Sequence, residues 1–356
     1  MKKTIDGKAL VYADGGFNTP NGKTAHGLVR FTERYDVVGV IDQNYAGQDA
    51  GMVLDHKPAQ IPIFRDFDEA LLKLGPDNQP ETFVIGLAPD GGRLPAIAKN
   101  TIKLALEKGM NVDCGLHDFL YMDPEIMAIA EKNNCRVRDI RKTPDRDDLH
   151  FFTGKIEEVD CLKVAVLGTD SAIGKRTTAW IIVHAFRRSG LKAELAGTGQ
   201  TAWMQGAKYS MIMDSCINDF VSGEIEHAVH EAWKNEAPHL IVIEGQGSLL
   251  NPAYPGGFEI LAAGRPDYII LQHAPKRLEY DGFPGYKLHS LRKQIDAVEM
   301  ISGKKVIAIT INHEDMSPAE ILPACSQVTQ ETGLPAYDVL EHGAEELVNL
   351  LKSHLK

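Results

Sequence analysis

The sequence has no paired cysteines. Its five, Cys114, Cys135, Cys161, Cys216 and Cys325, are scattered, odd in number and never spaced C-x-x-C. That pattern argues against a disulfide framework and against a zinc site, and it suits a reducing cytosol. Each cysteine reads as a small buried apolar residue. No apolar run approaches the ~20 residues of a membrane span. The opening stretch, Met1-Lys2-Lys3-Thr4-Ile5-Asp6-Gly7, carries no apolar signal segment, so a cytoplasmic location without membrane contact is expected. Blocks of like charge are also missing. The 38 Lys and Arg face 49 Asp and Glu, giving a formal net charge of −11, and a basic nucleic-acid surface is not expected. The sequence shows neither internal repeats nor low-complexity segments, which excludes solenoid and disordered classes.

What remains is a chain of 356 residues with 44% apolar and 24% charged content. This is ordinary for a globular protein and long enough for two cores. An acidic protein that binds anionic ligands must focus positive charge locally. The stretch Lys163 to Thr178 does so. Val164 to Leu167 reads as a buried strand, Gly168 to Gly174 as a glycine-bounded turn, and Thr177 to Arg188 as a helix ended by Gly190. Strand, glycine loop, lysine and helix in this order form a phosphate cradle. Backbone N–H groups and the positive helix end face the anion, and Lys175 adds a full charge. The cofactor-binding candidates are therefore Gly168, Thr169, Asp170, Ser171, Ala172, Ile173, Gly174, Lys175, Arg176 and Thr177. Two details depart from the usual motif. Gly168 and Gly174 enclose five residues, one more than the G-x-x-x-x-G-K spacing. The residue after the lysine is Arg176 instead of the magnesium-holding Ser or Thr, and Thr177 lies about 100° further round the helix.

The first part of the chain alternates short apolar runs with helical patterns. Strands are expected at Lys8 to Ala13, Val37 to Ile41, Ile61 to Phe64, Phe83 to Leu87, Asn111 to Gly115 and Arg136 to Asp139. Helices are expected at Lys23 to Glu33, after Gly92 to about Lys108, and around Pro124 to Lys132. This alternation predicts a parallel sheet with helices on both faces, a Rossmann-like domain. No G-x-G-x-x-G follows the first strand, so Asp42 reads as a plain strand-end acid more readily than as a ribose ligand. Gly91-Gly92 suits either an anion nest or a tight turn. The polar, aperiodic stretch Arg141 to Lys155 holds the expected boundary, giving domains 1–150 and 151–356. Its cations, with Arg138, read mainly as solvated surface.

The second domain repeats the alternation as another open parallel sheet, so the fold class is α/β with two doubly wound parallel-sheet domains. Strands are expected near Lys192 to Ala196, His239 to Ile243, Tyr268 to Gln272, Lys305 to Ile309 and Ala336 to Val339. Helices are expected at Glu224 to Lys234, Leu288 to Ser302, Pro318 to Glu331 and Gly343 to His354. In such sheets ligands sit beyond the carboxyl ends of the strands. Those ends carry Asp170 and Lys175, then Thr198 to Thr201, then Glu244, then His273. The pair Gly245 and Gly247 suggests close backbone approach to a ligand. Glu244 and Asp170 beside a phosphate loop would suit magnesium. Arg176 argues the other way, because a cation there neutralises phosphate directly. Phosphates that serve as a handle and are not transferred, as in coenzyme A, fit that combination, while an ATP reading stays open.

With these residues in view, the chain resembles a bacterial family long called a domain of unknown function. One branch of it is described as the DgcN-type D-glutamate N-acetyltransferases. The resemblance spans nearly the whole chain. It rests on Lys23-Thr24-Ala25, Arg30, Asp42, Gly86 to Gly92 and Gly115-Leu116-His117 in the first domain. In the second it rests on Gly168 to Lys175, Thr198-Gly199-Gln200-Thr201, Asp214, Asp219 and Glu244 to Gly247. It implies acetyl transfer from acetyl-CoA, as co-substrate, to the amine of D-glutamate. An α-ammonium must lose a proton before it attacks, so a base is required. His273 and Glu244 are the candidates, with Asp214 and Asp219 behind them. Lys175 or the loop N–H groups would serve the oxyanion. Lys23, Arg30, Arg93 and Arg141, with Gln200, are the candidates for holding the substrate. The loop and the Glu-Gly strand end also resemble dethiobiotin synthetase, a magnesium–ATP enzyme. This chain departs from it at Arg176. A non-catalytic nucleotide sensor is the third reading, and a homodimer is the base expectation for assembly.

Overall fold

The computed structural model describes residues 4–355. Met1 to Lys3 and Lys356 lie outside the described residues, as does the side chain of Asp90, so the expectation about the opening stretch is described only from Thr4 onward. The chain divides into two compact units, one of residues 1–143 with 200–206, the other of residues 144–199 with 207–356.

The first unit carries strands β1 (Lys8–Tyr12), β2 (Asp36–Ile41), β3 (Ile63–Phe64), β4 (Thr82–Ile85), β5 (Asn111–Cys114) and β6 (Val137–Asp139). Between them lie helices α1 (Lys23–Arg30), α2 (Ala50–Asp55), α3 (Phe67–Leu74), α4 (Ala96–Glu107) and α5 (Pro124–Lys132). Every pairing is parallel and the order is β3-β2-β1-β4-β5-β6. Parallel neighbours need a crossover, so each strand is followed by helical chain. The runs Ala9-Leu10-Val11 and Phe83-Val84-Ile85 are fully buried without alternation, as strands covered on both faces must be. The sheet grows one way from β1 to β3 and the other way from β4, so its switch point lies between β1 and β4. Helix α1 ends three residues earlier than its pattern predicts. Phe31 turns extended, and the Thr32 hydroxyl accepts from the N–H of Arg34 and Tyr35, a local bond that competes with helix.

The second unit begins with β7 (Leu162–Gly168) and α6 (Lys175–Arg188), then β8 (Ala193–Gly197). After α7 (Gln200–Met204) come β9 (Tyr209–Ser210), α8 (Asn218–Glu236), β10 (Leu240–Glu244), α9 (Phe258–Ala263) and β11 (Tyr268–His273). Helix α10 (Leu291–Ser302), β12 (Val306–Ile311), α11 (Pro318–Thr332), β13 (Ala336–Tyr337) and α12 (Glu345–Lys352) close the chain. The seven strands are all parallel, ordered β13-β12-β11-β7-β10-β8-β9. Strand β7 has β10 on one side and β11 on the other, and the direction of growth reverses there. Helix α8 starts six residues before Glu224 and takes Asp219 into its first turn. No described helix is long and apolar enough to cross a membrane.

A division at 150/151 leaves residues 200–206 with the second domain, yet by contact they belong to the first unit. The residues explain why. Met204 is buried in the first unit's core, and Trp203 packs against it. The Arg34 guanidinium lies 3.6 Å above the Trp203 ring centre, and Thr24 and Thr201 share a 2.9 Å hydrogen bond. Helix α7 begins inside the strand-end stretch Thr198 to Thr201. Five residues are too short to show a period, so packing decides its form.

Candidate functional site

The carboxyl end of β7 runs directly into the glycine loop. A Cβ at Gly168 would lie 2.9 Å from both Ile173 Cδ1 and Lys175 Cδ, so the lysine stem packs over the bare glycine. Gly174 caps α6 at φ +96°, a conformation that glycine alone adopts without strain. Ala172 sits at φ +49°, which for a residue with a Cβ costs roughly 1 kcal/mol. Such strain clusters in ligand loops. The loop carbonyls are engaged. Lys175 Nζ donates to Asp170 O at 2.7 Å, Asn312 Nδ2 to Ile173 O at 3.0 Å, and Gln294 Nε2 to Thr169 O at 3.1 Å. A bound anion therefore meets few bare lone pairs. The helix behind the loop is fixed to the sheet by Gln272, whose Oε1 accepts from Thr178 and Thr310 at 2.6 Å each.

Asp170 holds the loop's shape. It is fully buried. Its Oδ1 accepts from Ser171 N and Asn251 Nδ2 at 2.7 Å each. Its Oδ2 accepts from Arg277 Nη1 at 2.9 Å and Asp281 N at 2.8 Å. Arg277 also donates to Ser171 O at 2.8 Å and forks onto Glu314 at 2.7 and 2.6 Å. Burial works against the guanidinium's charge, but these carboxylates raise its pKa overall.

Glu244, the last residue of β10, is 4% exposed. Burial pushes its carboxyl up; Arg176, the Thr198 N–H and Lys175 oppose that. The Thr198 N–H donates to Glu244 Oε2 at 2.8 Å, and Gln246 Nε2 donates to the Thr198 hydroxyl at 3.2 Å. His273, the last residue of β11, shares a 3.1 Å hydrogen bond between Nδ1 and Thr169 Oγ1. Burial and, after it, Arg277 press its imidazole down to about 4, so at neutral pH it is uncharged. The sheet thus brings Asp170, Lys175, Arg176, Thr198, Glu244 and His273 together at one end. This donor set suits magnesium poorly. Asp170 already accepts four hydrogen bonds, Glu244 faces two cations, and no hydroxyl follows Lys175.

The glycines after β10 have a different role from the one expected. A Cβ on Gly245 would lie 2.3 Å from Val166 O, and one on Gly247 2.0 Å from Tyr254 O. The close backbone approach is therefore to the protein itself, which accounts for both glycines.

Asp214 lies in the short turn Met213–Ser215, exposed, in a segment tied to Thr198 by the Met213 N–H at 2.9 Å. Asp219 is exposed in the first turn of α8. In the first unit, Lys23 opens α1 and Arg93 follows β4, both exposed at the carboxyl end of that sheet. Arg30 is held by Asp55 at 2.8 and 2.6 Å. Arg141 is buried and donates to the Gly115 carbonyl, and Gln200 packs on Gly115. Arg138 pairs with Asp6 and Asp113. Buried Asp42 accepts from Phe17 N at 2.9 Å and Asn44 N at 2.8 Å, as a strand-end acid does. Gly91 and Gly92 both take positive φ, and a Cβ on Gly92 would meet His117 at 2.3 Å, so they form a packed turn. Among the cysteines, burial pushes the Cys114 thiol up to about 12 and the Cys216 thiol to about 11, far from nucleophilic use.

Sequence reasoning missed Arg277, Asn251, Glu314 and Asn312. The only local signals were a basic pair four residues past a strand end and an Asn-Pro turn. Neither names a distant partner.

Two family models match the chain. A P-loop domain described as "Domain of unknown function (DUF1611_C)" covers residues 150–348, and a Rossmann-like domain described as "Domain of unknown function (DUF1611_N)" covers residues 43–143. A D-glutamate N-acetyltransferase from Tritonibacter scottomollicae is 32% identical over 76% of this chain and 81% of its own length. One from a Pseudoalteromonas species is 30% identical over 75% of this chain and 80% of its own length. The crystal structure of a DUF1611 family protein from Anabaena variabilis ATCC 29413 superposes with a TM-score of 0.87 at 28% identity, covering 97% of this chain and 99% of that one.

Proposed function

Given that this chain belongs to the DUF1611 family, we propose that it is an amino-acid N-acetyltransferase. In this reading it moves the acetyl group of acetyl-CoA to the α-amine of an acidic amino acid, D-glutamate first among them. The names of its relatives support the reaction class. The observation that carries the donor is the phosphate loop with Arg176 where a magnesium-holding hydroxyl would stand. Lys175, Arg176 and the helix end grip the pyrophosphate of coenzyme A as a handle, and nothing is transferred from it.

A long pantetheine arm separates that pyrophosphate from the thioester. The groups on the loop are therefore binding groups, and the base that receives the ammonium proton stands elsewhere. Asp214, exposed on the turn joined to Thr198, is our assignment, with Asp219 next. The freed amine attacks the acetyl carbon and the thiolate of coenzyme A leaves; of the two protons the nitrogen gives up, one goes to that sulfur and the other passes through the base to solvent. The substrate's carboxylates need cations. Of the cations expected to hold them, Arg30 and Arg141 already engage Asp55 and the Gly115 carbonyl.

The test is acetyl-CoA offered with a panel of D- and L-amino acids, scored for free thiol. Release with D-glutamate, and kcat reduced at least a hundredfold in Asp214→Asn at unchanged acetyl-CoA affinity, is the expected result. Nucleotide hydrolysis in step with product would overturn it in favour of a magnesium–ATP ligase.

A further inference from the structure

Two loops outside that mechanism are fastened to the phosphate loop through a single carboxylate. The loop after β10 reaches Asp170 Oδ1 through Asn251 Nδ2 at 2.7 Å. The turn after β11 reaches Asp170 Oδ2 through Arg277 at 2.9 Å and through the Asp281 N–H at 2.8 Å. Each loop is internally braced. Tyr254 N donates to Asn251 Oδ1 at 2.8 Å, and its carbonyl accepts from Ser248 N at 3.1 Å. Across the second turn Tyr280 N donates to Tyr286 O, and Leu288 N to Leu278 O, at 2.9 Å each. These held backbones present aromatic rings to water. Tyr254 is 50% exposed and Tyr286 60%. Phe283 stands between them, 6.5 Å from the Tyr254 ring at 65° and 6.4 Å from Tyr286 at 81°, both edge-to-face.

Exposed aromatic rings held in register beside an anion site suit a flat, neutral partner attached to a phosphate. A nucleobase is such a partner, because every base has a π-face. We propose that Tyr254, Phe283 and Tyr286 form an aromatic platform for the purine base of the nucleotide whose phosphates the loop holds, one ring stacking on the base face and its steeply inclined neighbours meeting the base edge. The proposal rests on the reading that this loop binds a nucleotide's phosphates. It does not choose between coenzyme A and ATP, since adenine is common to both.

The experiment is calorimetric titration of the full chain with ADP, with coenzyme A and with inorganic pyrophosphate. The unaltered protein, Phe283→Ala, Tyr286→Ala and the ring-keeping Phe283→Tyr are compared. We expect ADP and coenzyme A to bind at least tenfold tighter than pyrophosphate. Both alanine variants should lose that advantage while pyrophosphate binding holds, and Phe283→Tyr should keep it. Three results would overturn the platform. One is no change in ADP affinity in either alanine variant. Another is an equal loss for pyrophosphate, which would mean that the rings only shape the loop. The third is a concentration-dependent dimer abolished by Phe283→Ala with nucleotide affinity intact, which would make the rings a contact between copies. Acetyl turnover is scored separately. Ring-dependent ADP binding without any acetyl transfer sinks the enzymatic reading alone, and turnover with ring-independent affinity sinks the platform alone.

Discussion

Arg277 Nη1 lies 2.9 Å from Asp170 Oδ2, joining two residues 107 positions apart in the chain. Asp170 is fully buried and the Arg277 side chain is 13% exposed, and the pair is one of several contacts that hold the loop. Removing one member of such a pair strands a charge and costs about 3–5 kcal/mol. Arg277→Ala should therefore lower the unfolding free energy of the second unit by up to that much, read as a lower denaturant midpoint, and weaken coenzyme A binding. Arg277→Lys keeps the charge but loses the fork onto Glu314, and should fall in between. An Arg277→Ala protein with unaltered midpoint and affinity would show that the loop is shaped by something else.

Lys175→Met keeps the stem that packs over Gly168 and deletes the ammonium. A charge-assisted hydrogen bond contributes about 1.5–3 kcal/mol, so coenzyme A affinity should fall roughly ten- to hundredfold. Equilibrium titration reads this directly, and the melting curve reports separately the loss of the hydrogen bond to Asp170 O.

Metal removal makes a sharper prediction. With Arg176 in the hydroxyl position and Asp170 fully engaged, acetyl transfer should be unchanged by excess EDTA and should gain nothing from added magnesium. Loss of turnover on chelation, recovered with magnesium, would contradict the donor assignment.

His273 should make the protein sensitive to mild acid. Its folded value is lowered to about 4 from the ordinary 6.5. The unfolded chain therefore binds a proton on acidification before the folded one does. The stability that follows is fully present above about pH 6.5 and is lost as the pH falls towards 4, by at most about 3 kcal/mol. Denaturant midpoints at pH 7 and pH 5 measure it. In His273→Gln that part of the slope should vanish, while the carboxylate-driven loss at lower pH remains.

Trp203→Ala should destabilise the first unit by ~2 kcal/mol, through lost packing and the lost guanidinium contact. Hydrogen exchange should report it in β1 and α1 more than around β7.

How much of this was legible beforehand follows from what each feature depends on. The strands and the phosphate loop depend on neighbours in sequence. A run such as Val164 to Leu167, then Gly168, Gly174 and Lys175, carries its own instructions. The strand-end residues Glu244 and His273 were legible because topology places all such ends together. Arg277 on Asp170 and Asn251 on Asp170 depend on which loops meet, which no local period encodes. The glycines of Gly245-x-Gly247 announced a close approach but not the partner, and the partner is the chain's own backbone. Residues 200–206 follow a strand of one unit and fold into the other, because a single tryptophan and methionine decide where they settle.

That last excursion bears on how the polypeptide matures. Met204 fills part of a hydrophobic interior whose other walls are supplied by residues up to 143. During synthesis the opening sheet must wait, its interior incompletely lined, until the ribosome has released more than sixty further residues, most of them destined for the neighbouring sheet. A fragment cut at the obvious joint would carry that unlined wall permanently. The two halves are better regarded as one folding transaction than as modules that genetic exchange could separate.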